Sequence, residues 1–323
     1  MVESKTTISE LKKGDKVQGV FFVKNCTCRL TNGSNAKFLD INLMDKTGVV
    51  NAKLWDCRSG QDNIIKENML VNVKGNIVEW KGKLQFKIDA IDPISEEQEV
   101  NAEDFIPVAP IDPKVMFEEV LEFKNKIKNL DIKNIVEYIL DQVDVAIMYY
   151  PAAKSNHHSI RSGLLYHTTT MLKAGEALSR IYTFINTDLL YAGIILHDIA
   201  KIGEMSSSKL GIVDEYTIEG QLLGHIIMGV RQVEVAAEKV AADKEVSMLL
   251  QHMILSHHYE AEYGSPKKPM IPEAELLHHL DIMDARMYDM QKAISETEEG
   301  KFSEKIWSLD NLSIYRSKLK KEQ

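Results

Sequence analysis

Hydrophobic and polar residues alternate with a period of two in short runs through the first 92 residues, a pattern typical of β-strands. Short segments rich in Gly, Asn, Asp and Lys separate the runs, and a helical connection is predicted at about residues 59–67. The predicted strands are Lys16–Lys24, Lys37–Met44, Val49–Trp55, Leu70–Trp80 and Lys83–Ile91. Five short strands with one helical connection predict a small Greek-key barrel of the OB type.

The second and third predicted strands assign side chains to the two faces of this barrel. In the second strand Leu39, Ile41 and Leu43 are predicted to point inward, which places Phe38 on the outer face. In the third, Val50, Ala52 and Leu54 are predicted to point inward, which places Lys53 and Trp55 on the outer face. Aromatic rings and lysines on an OB-type barrel are typical of single-stranded nucleic-acid binding, since bases stack on the rings and lysines meet phosphates. The alternative, in which Phe38 and Trp55 pack against a second domain, stays open.

From Val115 onward the hydrophobic positions recur at helical spacing, which predicts an all-α second domain. Predicted helices include Gly163–Arg180, Asp188–Ala200, Leu222–Ala241, Val246–Ser256 and Pro272–Gln291, with another near the C-terminus. A proline-containing stretch precedes them and is typical of a linker. We therefore predict an N-terminal OB-type barrel at residues 1–92, a linker at 93–114 and an all-α domain at 115–323.

The composition is that of a globular protein, with 44% hydrophobic and 27% charged residues in 323. No apolar run reaches the roughly 18 residues that span a bilayer, and the N-terminus does not resemble a signal peptide. We expect a cytoplasmic protein without a membrane partner. Cys26, Cys28 and Cys57 are too few and too irregularly spaced for a disulfide framework or a four-cysteine zinc site, so we expect free thiols.

Charge divides unevenly along the chain. Residues 1–92 carry 15 Lys and Arg against 11 Asp and Glu, whereas the remainder carries 24 against 37. A mildly basic barrel beside an acidic helical domain suggests different roles for the two parts. The alternative is that both surfaces are simply solvated.

The candidate chemistry centres on the apolar segment Leu189–Gly203, in which His197 and Asp198 stand side by side. A buried histidine and carboxylate are costly unless something charged holds them, and a divalent metal ion is the expected partner. All ten histidines lie between positions 157 and 279. The candidate ligands on or beside predicted helices are His167, His197, Asp198, His225, His257, His258 and Asp281. A set of this size has enough donors for two ions, which together would hold a phosphate and activate a water.

Two cationic residues are candidate contacts for a substrate phosphate. Lys201 follows Asp198 by three residues on the same helical face, so it is also a candidate catalytic residue that stabilises the leaving oxygen. Its alternative role is to cap the helix C-terminus. Arg161 precedes His167, and a structural ion pair is the alternative for it.

The order of these residues, a His, then His-Asp, then a distant Asp on successive helices, resembles the HD-domain superfamily of metal-dependent phosphohydrolases. The resemblance implies that His167, His197, Asp198 and Asp281 are the core ligands. It places His225 and His257 where two-metal members have their additional histidines, with His258 as an alternative or additional ligand. Asp284, one helical turn after Asp281, competes with it.

The companion barrel narrows the resemblance to the YhaM family of 3′–5′ exoribonucleases. The stretches that carry it are FLDINLMDKTGVVNAKLWD in the barrel and NHHSIRSGLLYHT, LLYAGIILHDIAKIGE and LSHHYEAEYGSPKKP in the second domain. The resemblance implies hydrolysis of single-stranded RNA, and also of short single-stranded DNA, from the 3′ end, with release of nucleoside 5′-monophosphates. It implies manganese support, with Fe, Mg, Zn and Co as alternatives.

Two other functions stay open at this stage. One is an HD-type nucleotide or cyclic-dinucleotide phosphohydrolase, although the Gly-Tyr-Pro signature of cyclic-di-GMP hydrolases is replaced here by Gly-Ser-Pro. The other is a nucleic-acid-binding protein without catalysis. The sequence also leaves homo-oligomerisation open.

Overall fold

The computed structural model describes residues 7–31, 36–55, 57, 60–94, 101–154, 158–208 and 210–319. The chain divides into two compact units, residues 1–108 and 109–323. The division falls within the predicted 93–114 linker, of which residues 95–100 lie outside the described ranges. None of the described helices is long and apolar enough to cross a membrane.

The first unit is the five-stranded closed barrel that the alternation predicts. Its strands are β1 (Lys16–Leu30), β2 (Lys37–Asp45), β3 (Gly48–Leu54), β4 (Met69–Trp80) and β5 (Lys83–Pro93), with a one-turn helix α1 (Gln61–Ile64) before β4. The strand order is β1-β2-β3-β5-β4, and β3 and β5 are the parallel pair. The long strand β1 pairs with β2 and β4, with a bulge between Val23 and Asn25 that helps it bend around the barrel.

Alternate residues of the strands fill the barrel. Leu39, Ile41 and Leu43 of β2 are buried, as are Val50 and Ala52 of β3. Their neighbours in sequence face outward, since successive side chains of a strand point to opposite faces. The inward faces predicted from the sequence are therefore correct.

The second unit is helical. Its helices are α2 (Pro113–Lys126), α3 (Leu130–Leu140), α4 (Gly163–Ser179), α5 (Thr187–Leu196), α6 (Lys201–Glu204), α7 (Ile218–Lys239), α8 (Lys244–Ser256) and α9 (Pro272–Glu296). Every residue from Leu189 to Leu196 of α5 is buried, and α5 packs against α2, α3, α4, α8 and α9. A helix that is apolar on all sides must be surrounded. The residues that follow α5 consequently lie in the interior of this unit.

Two local features differ from the sequence expectations. A two-stranded hairpin, β6 (Met205–Ser207) with β7 (Val213–Tyr216), interrupts the otherwise helical unit. The expected helix near the C-terminus is wrong, because the described residues after α9 form a short 3-10 helix at Trp307–Leu309 and two isolated bridges. Phe302 pairs with Tyr315 there, so the apolar residues contact across a reversal of the chain instead of along a helix face.

Candidate metal centre and nucleic-acid face

Asp198 is the centre of the polar cluster in the helical unit. It follows the C-terminal end of α5 and is almost completely buried. Its Oδ2 lies 3.4 Å from His197 Nε2, and its Oδ1 lies 3.4 Å from His225 Nε2 and 3.8 Å from His257 Nε2. Three histidines from three elements therefore direct the same ring nitrogen towards one carboxylate.

Hydrogen bonds at Nδ1 fix the ring orientation of two of these histidines. His197 donates from Nδ1 to Ile194 O at 2.8 Å, and His257 donates from Nδ1 to Ile254 O at 2.7 Å. Each histidine is the first residue after its helix, at the C-cap, where backbone carbonyls of the last turn lack intrahelical partners. Because Nδ1 carries the proton, Nε2 keeps its lone pair for a metal ion.

His225 is presented by a kink in α7. Gly224 has φ 70° and ψ 159°, a backbone conformation open to glycine and strained for other residues. Glu204 Oε1 accepts hydrogen bonds from the His225 backbone N–H at 3.0 Å and from Nδ1 at 3.2 Å. The sequence interpretation missed Glu204, because nothing in the local pattern connects a glutamate of α6 with a histidine 21 residues later.

His167 of α4 lies between the two aspartates of α9. Its Nε2 is 3.3 Å from Asp281 Oδ1, and its Nδ1 is 2.6 Å from Asp284 Oδ2. His158 Nε2 is also 2.8 Å from Asp284 Oδ2. Asp281 therefore faces Nε2 of His167. Asp284 contacts Nδ1 and so orients the His167 ring. His158, which is not among the ligand candidates from the sequence, is buried and belongs to this support.

His258 and His278 connect the cluster with the segment that follows α8. The ring of His258 lies 4.1 Å from that of His257, and its Nδ1 donates to Tyr263 O at 2.7 Å. His278 donates from Nδ1 to the backbone oxygen of His257 at 2.7 Å. His279 lies at the surface beside Glu275, whereas His157 is outside the described residues.

The donor atoms form two sets that share Asp198. In each set, one ligand atom per residue lies within 4.8 Å of the others. These two sets are His167, His197 and Asp198, and Asp198, His225, His257 and His258, while a third set without Asp198 consists of His158, His167 and Asp284. Within the described part of the chain, His197 Nε2, Asp198 Oδ1, His225 Nε2 and His257 Nε2 are buried without a hydrogen-bond partner. Each such atom costs about 1–3 kcal/mol if nothing satisfies it. The residues thus fit a divalent metal.

The charges of the cluster also suit a cation. Burial disfavours ionised Asp198, but Lys201 and His197 outweigh it and hold the pKa of that carboxyl well below its usual range. Burial, helped by the neighbouring His258, lowers the pKa of His257 well below the usual value, so this ring is neutral. An anionic carboxylate and a neutral imidazole are the forms that bind metal ions.

On the α9 side of the cluster, the charged groups are His167 and its two aspartate partners. Burial disfavours the imidazolium of His167, but hydrogen bonds to Asp281 and Asp284 outweigh it and raise the His167 pKa to about 10. Burial opposes ionisation of Asp284 as well, and hydrogen bonds with His158 and His167 bring its pKa down to about 2. A cation bound at Nε2 would replace the proton that His167 otherwise carries there.

The two candidate phosphate contacts have different surroundings. Lys201 Nζ lies 2.7 Å from Asp198 Oδ2, so its ammonium group is at the cluster. Burial works against that charge, but Asp198 outweighs it and raises the Lys201 pKa. The guanidinium of Arg161 lies over the Tyr149 ring at 5.8 Å, and burial lowers its pKa.

On the barrel, the three candidate nucleic-acid contacts form one group. The Phe38 and Trp55 rings are stacked, with centroids 4.7 Å apart, and Lys53 Nζ lies 5.2 Å and 5.3 Å from their centroids. Within this stacked pair, Phe38 is only 7% exposed, whereas Trp55 is 41% exposed. Trp55 is thus the ring with a surface available to a base.

A polar network lies beside this group on the same outer face. Asn51 of β3 donates from Nδ2 to Asp40 Oδ1 of β2 at 2.8 Å, and its Oδ1 accepts from Gln85 Nε2 of β5 at 2.8 Å. The strand pairings place Asn51 opposite Gln85. The two amide groups and the Asp40 carboxylate keep this part of the face polar.

Comparisons with known proteins agree with both units. The HD domain family model matches residues 164–286, and the OB-fold nucleic acid binding domain model matches residues 10–94. Among solved structures, the second OB-fold domain of replication protein A from Methanococcus maripaludis is similar, with 21% identity and a TM-score of 0.24. The match covers 30% of this chain and 98% of that one.

Curated relatives match over nearly the whole chain. The 3′–5′ exoribonuclease YhaM of Bacillus subtilis strain 168 is 38% identical over 304 residues, which cover 94% of this chain and 95% of the relative. That of Geobacillus sp. strain WCH70 is 40% identical, covering 94% and 92%. The fold and the buried His/Asp cluster define a metal-dependent hydrolase with a nucleic-acid-binding barrel. The chain belongs to the 3′–5′ exoribonuclease YhaM family.

Proposed function

We propose that this protein hydrolyses single-stranded RNA, and also single-stranded DNA, from the 3′ end and releases nucleoside 5′-monophosphates. The observation that carries the proposal is Asp198, a buried carboxylate shared by two sets of ligand atoms in a chain that also has an OB-type barrel. Curated relatives of nearly full length are named 3′–5′ exoribonuclease, which supports the same reaction and direction.

We further propose that the cluster holds two divalent ions, of the manganese type. The proposed ligands are His167, His197, Asp198 and Asp281 for one ion and Asp198, His225, His257 and His258 for the other. Bound metal ions would supply a nucleophilic water at neutral pH and charge stabilisation of the phosphate. Sharing Asp198 would keep the two ions close enough to act on one phosphodiester.

The residues around the ligands would position the phosphodiester. Lys201 keeps its charge beside Asp198, so it can donate hydrogen bonds to a phosphate oxygen or to the leaving oxygen. Arg161 is proposed as a second phosphate contact. Phe38, Lys53 and Trp55 are proposed to bind the strand together: Trp55 stacks on a base, Phe38 supports the Trp55 ring, and Lys53 supplies charge. We also propose that the protein works in the cytoplasm.

The test uses a 5′-labelled RNA with a single-stranded 3′ end, the full-length protein and Mn²⁺. We expect progressive shortening from the 3′ end with release of mononucleotides, and no reaction after chelation of the metal. Asp198→Asn should abolish hydrolysis while binding of the RNA is retained. Inert RNA together with cleavage of small nucleotides or cyclic dinucleotides would instead identify a nucleotide phosphohydrolase. Binding without any hydrolysis would identify a non-catalytic protein.

A further inference from the structure

The segment between α8 and α9 is fastened to the histidine cluster. The His258 backbone N–H donates to Ser265 Oγ at 3.1 Å, and His258 Nδ1 donates to the backbone oxygen of Tyr263 at 2.7 Å. Further along, the Met270 N–H donates to His252 Nε2 on α8 at 2.9 Å. The segment is held at both ends, so its backbone has a fixed position relative to the cluster.

Tyr263 stands out in this segment because its backbone is fixed while its side chain is not. The backbone oxygen is bound to His258, yet the residue is 72% exposed. Among the described residues, the Tyr263 ring has neither a ring partner nor a hydrogen bond at its hydroxyl. A large ring held beside a buried polar cluster and left in solvent is suited to contact a ligand of that cluster.

This segment packs against the part of α7 that carries His225. Gly264, next to Tyr263, has φ +99° and lies so close to α7 that a Cβ there would be 3.2 Å from Ile226 Cδ1. Only glycine adopts this backbone conformation without strain. Just before the kink that presents His225, Leu222 is 78% exposed and Leu223 is 42% exposed. Tyr263 is thus joined to His258 through its backbone, and the two exposed leucines directly precede Gly224 and His225 in the chain.

We infer that Tyr263, together with Leu222 and Leu223, binds the base of the 3′-terminal nucleotide. The inference rests on the proposed exonuclease function, which puts the last phosphodiester at the cluster and the terminal nucleoside just beyond it. A flat base has two apolar faces, and stacking on tyrosine accepts any of the four bases. An enzyme that removes successive nucleotides needs a site with this tolerance.

The experiment compares two RNAs that differ only at the 3′-terminal nucleotide, which carries a base in one and lacks it in the other. The first cleavage is measured with Mn²⁺ for the full-length protein. We expect wild type to cleave the abasic RNA with kcat/KM lower by about tenfold. Tyr263→Ala should lower kcat/KM for the ordinary RNA by about tenfold and change the abasic reaction less than about twofold. Tyr263→Phe keeps the ring and should retain wild-type behaviour.

Tyr182→Ala is the matched control, since Tyr182 is an exposed tyrosine in the connection between α4 and α5. It should leave both reactions unchanged. Equal loss on both RNAs in Tyr263→Ala would assign Tyr263 a structural role and overturn the inference, as would equal cleavage of both RNAs by wild type. If Tyr263→Ala does not fold, Tyr263→Leu takes its place. Cleavage of the ordinary and the abasic RNA by wild type then still tests the inference. A wild-type protein that hydrolyses no RNA would overturn the proposed function, and the base site with it.

Discussion

Glu204 Oε1 accepts two hydrogen bonds from His225, one from the backbone N–H at 3.0 Å and one from Nδ1 at 3.2 Å. The carboxylate therefore fixes the backbone at the Gly224 kink as well as the ring that follows it. Burial disfavours ionised Glu204, but His225 outweighs it and lowers the pKa of this carboxyl. An anion at Nδ1 makes Nε2 a stronger donor towards a metal ion.

Glu204→Gln should weaken metal binding because the amide keeps the shape of the side chain but loses its charge. We expect the Mn²⁺ affinity to fall by about tenfold, at the lower end of the effects known for such supporting residues. Isothermal titration calorimetry of the metal-free protein with Mn²⁺ measures this affinity. Glu238→Gln, at an exposed position of α7, the helix that carries His225, is the control. Identical affinities for wild type and Glu204→Gln would show that this contact does not support the metal.

Asp281 and Asp284 should respond differently to replacement by asparagine. Asp281→Asn removes an anion on the Nε2 side of His167, so we expect loss of bound metal measured by elemental analysis. Asp284→Asn leaves that side intact and should lower metal affinity by about tenfold to 100-fold through misorientation of His167. If Asp284→Asn alone empties the site, the assignment of the two aspartates is reversed.

Trp55→Ala should weaken binding of long single-stranded RNA because it removes the exposed ring of the stacked pair. We expect a loss of about 1–3 kcal/mol in binding free energy, measured by fluorescence anisotropy. Cleavage of very short RNAs should change little, since a short RNA offers few nucleotides for the barrel to bind in addition to the metal centre. Trp307→Ala, at an exposed tryptophan of the helical unit, is the control. Equal losses on long and short RNA would point to a structural role of Trp55.

The reactivity of the Cys26 thiol should increase only at unusually alkaline pH. Burial, followed by the nearby Glu67, raises the pKa of this thiol to about 11. The unfolded chain loses this proton at lower pH than the folded chain, so the thiol favours folding below about pH 9 and destabilises the fold as the pH rises towards 11.

Iodoacetamide labelling with peptide mass spectrometry tests this expectation, because only the thiolate reacts. The exposed Cys28 should be labelled first at pH 8, and Cys26 should follow only as the pH approaches 11. The double variant Cys28→Ser, Cys57→Ser isolates the Cys26 reaction. Rapid labelling of Cys26 at pH 8 would contradict the raised pKa.

The barrel illustrates how much of the fold the sequence predicts. In β2, the alternation of Leu39, Ile41 and Leu43 with outward residues is enough to assign the inner face, because strand geometry has a fixed period of two. The hairpin at Met205–Ser207 and the irregular C-terminal segment were not predicted. In both, a few apolar residues pair across a chain reversal, which no periodicity reveals.

By itself the sequence determined the ligand candidates and the elements that carry them, since residue type and helical spacing are local properties. The tertiary structure decided which atom of each residue faces the centre. Asp281 and Asp284 are one turn apart on α9 and cannot be told apart in sequence. In the structure they contact different ring nitrogens of His167, Asp281 at Nε2 and Asp284 at Nδ1. Glu204 and His158 gained their roles from contacts with residues far along the chain. Such pairings depend on how buried helices pack, because unsatisfied polar atoms are costly only once packing has removed water from them.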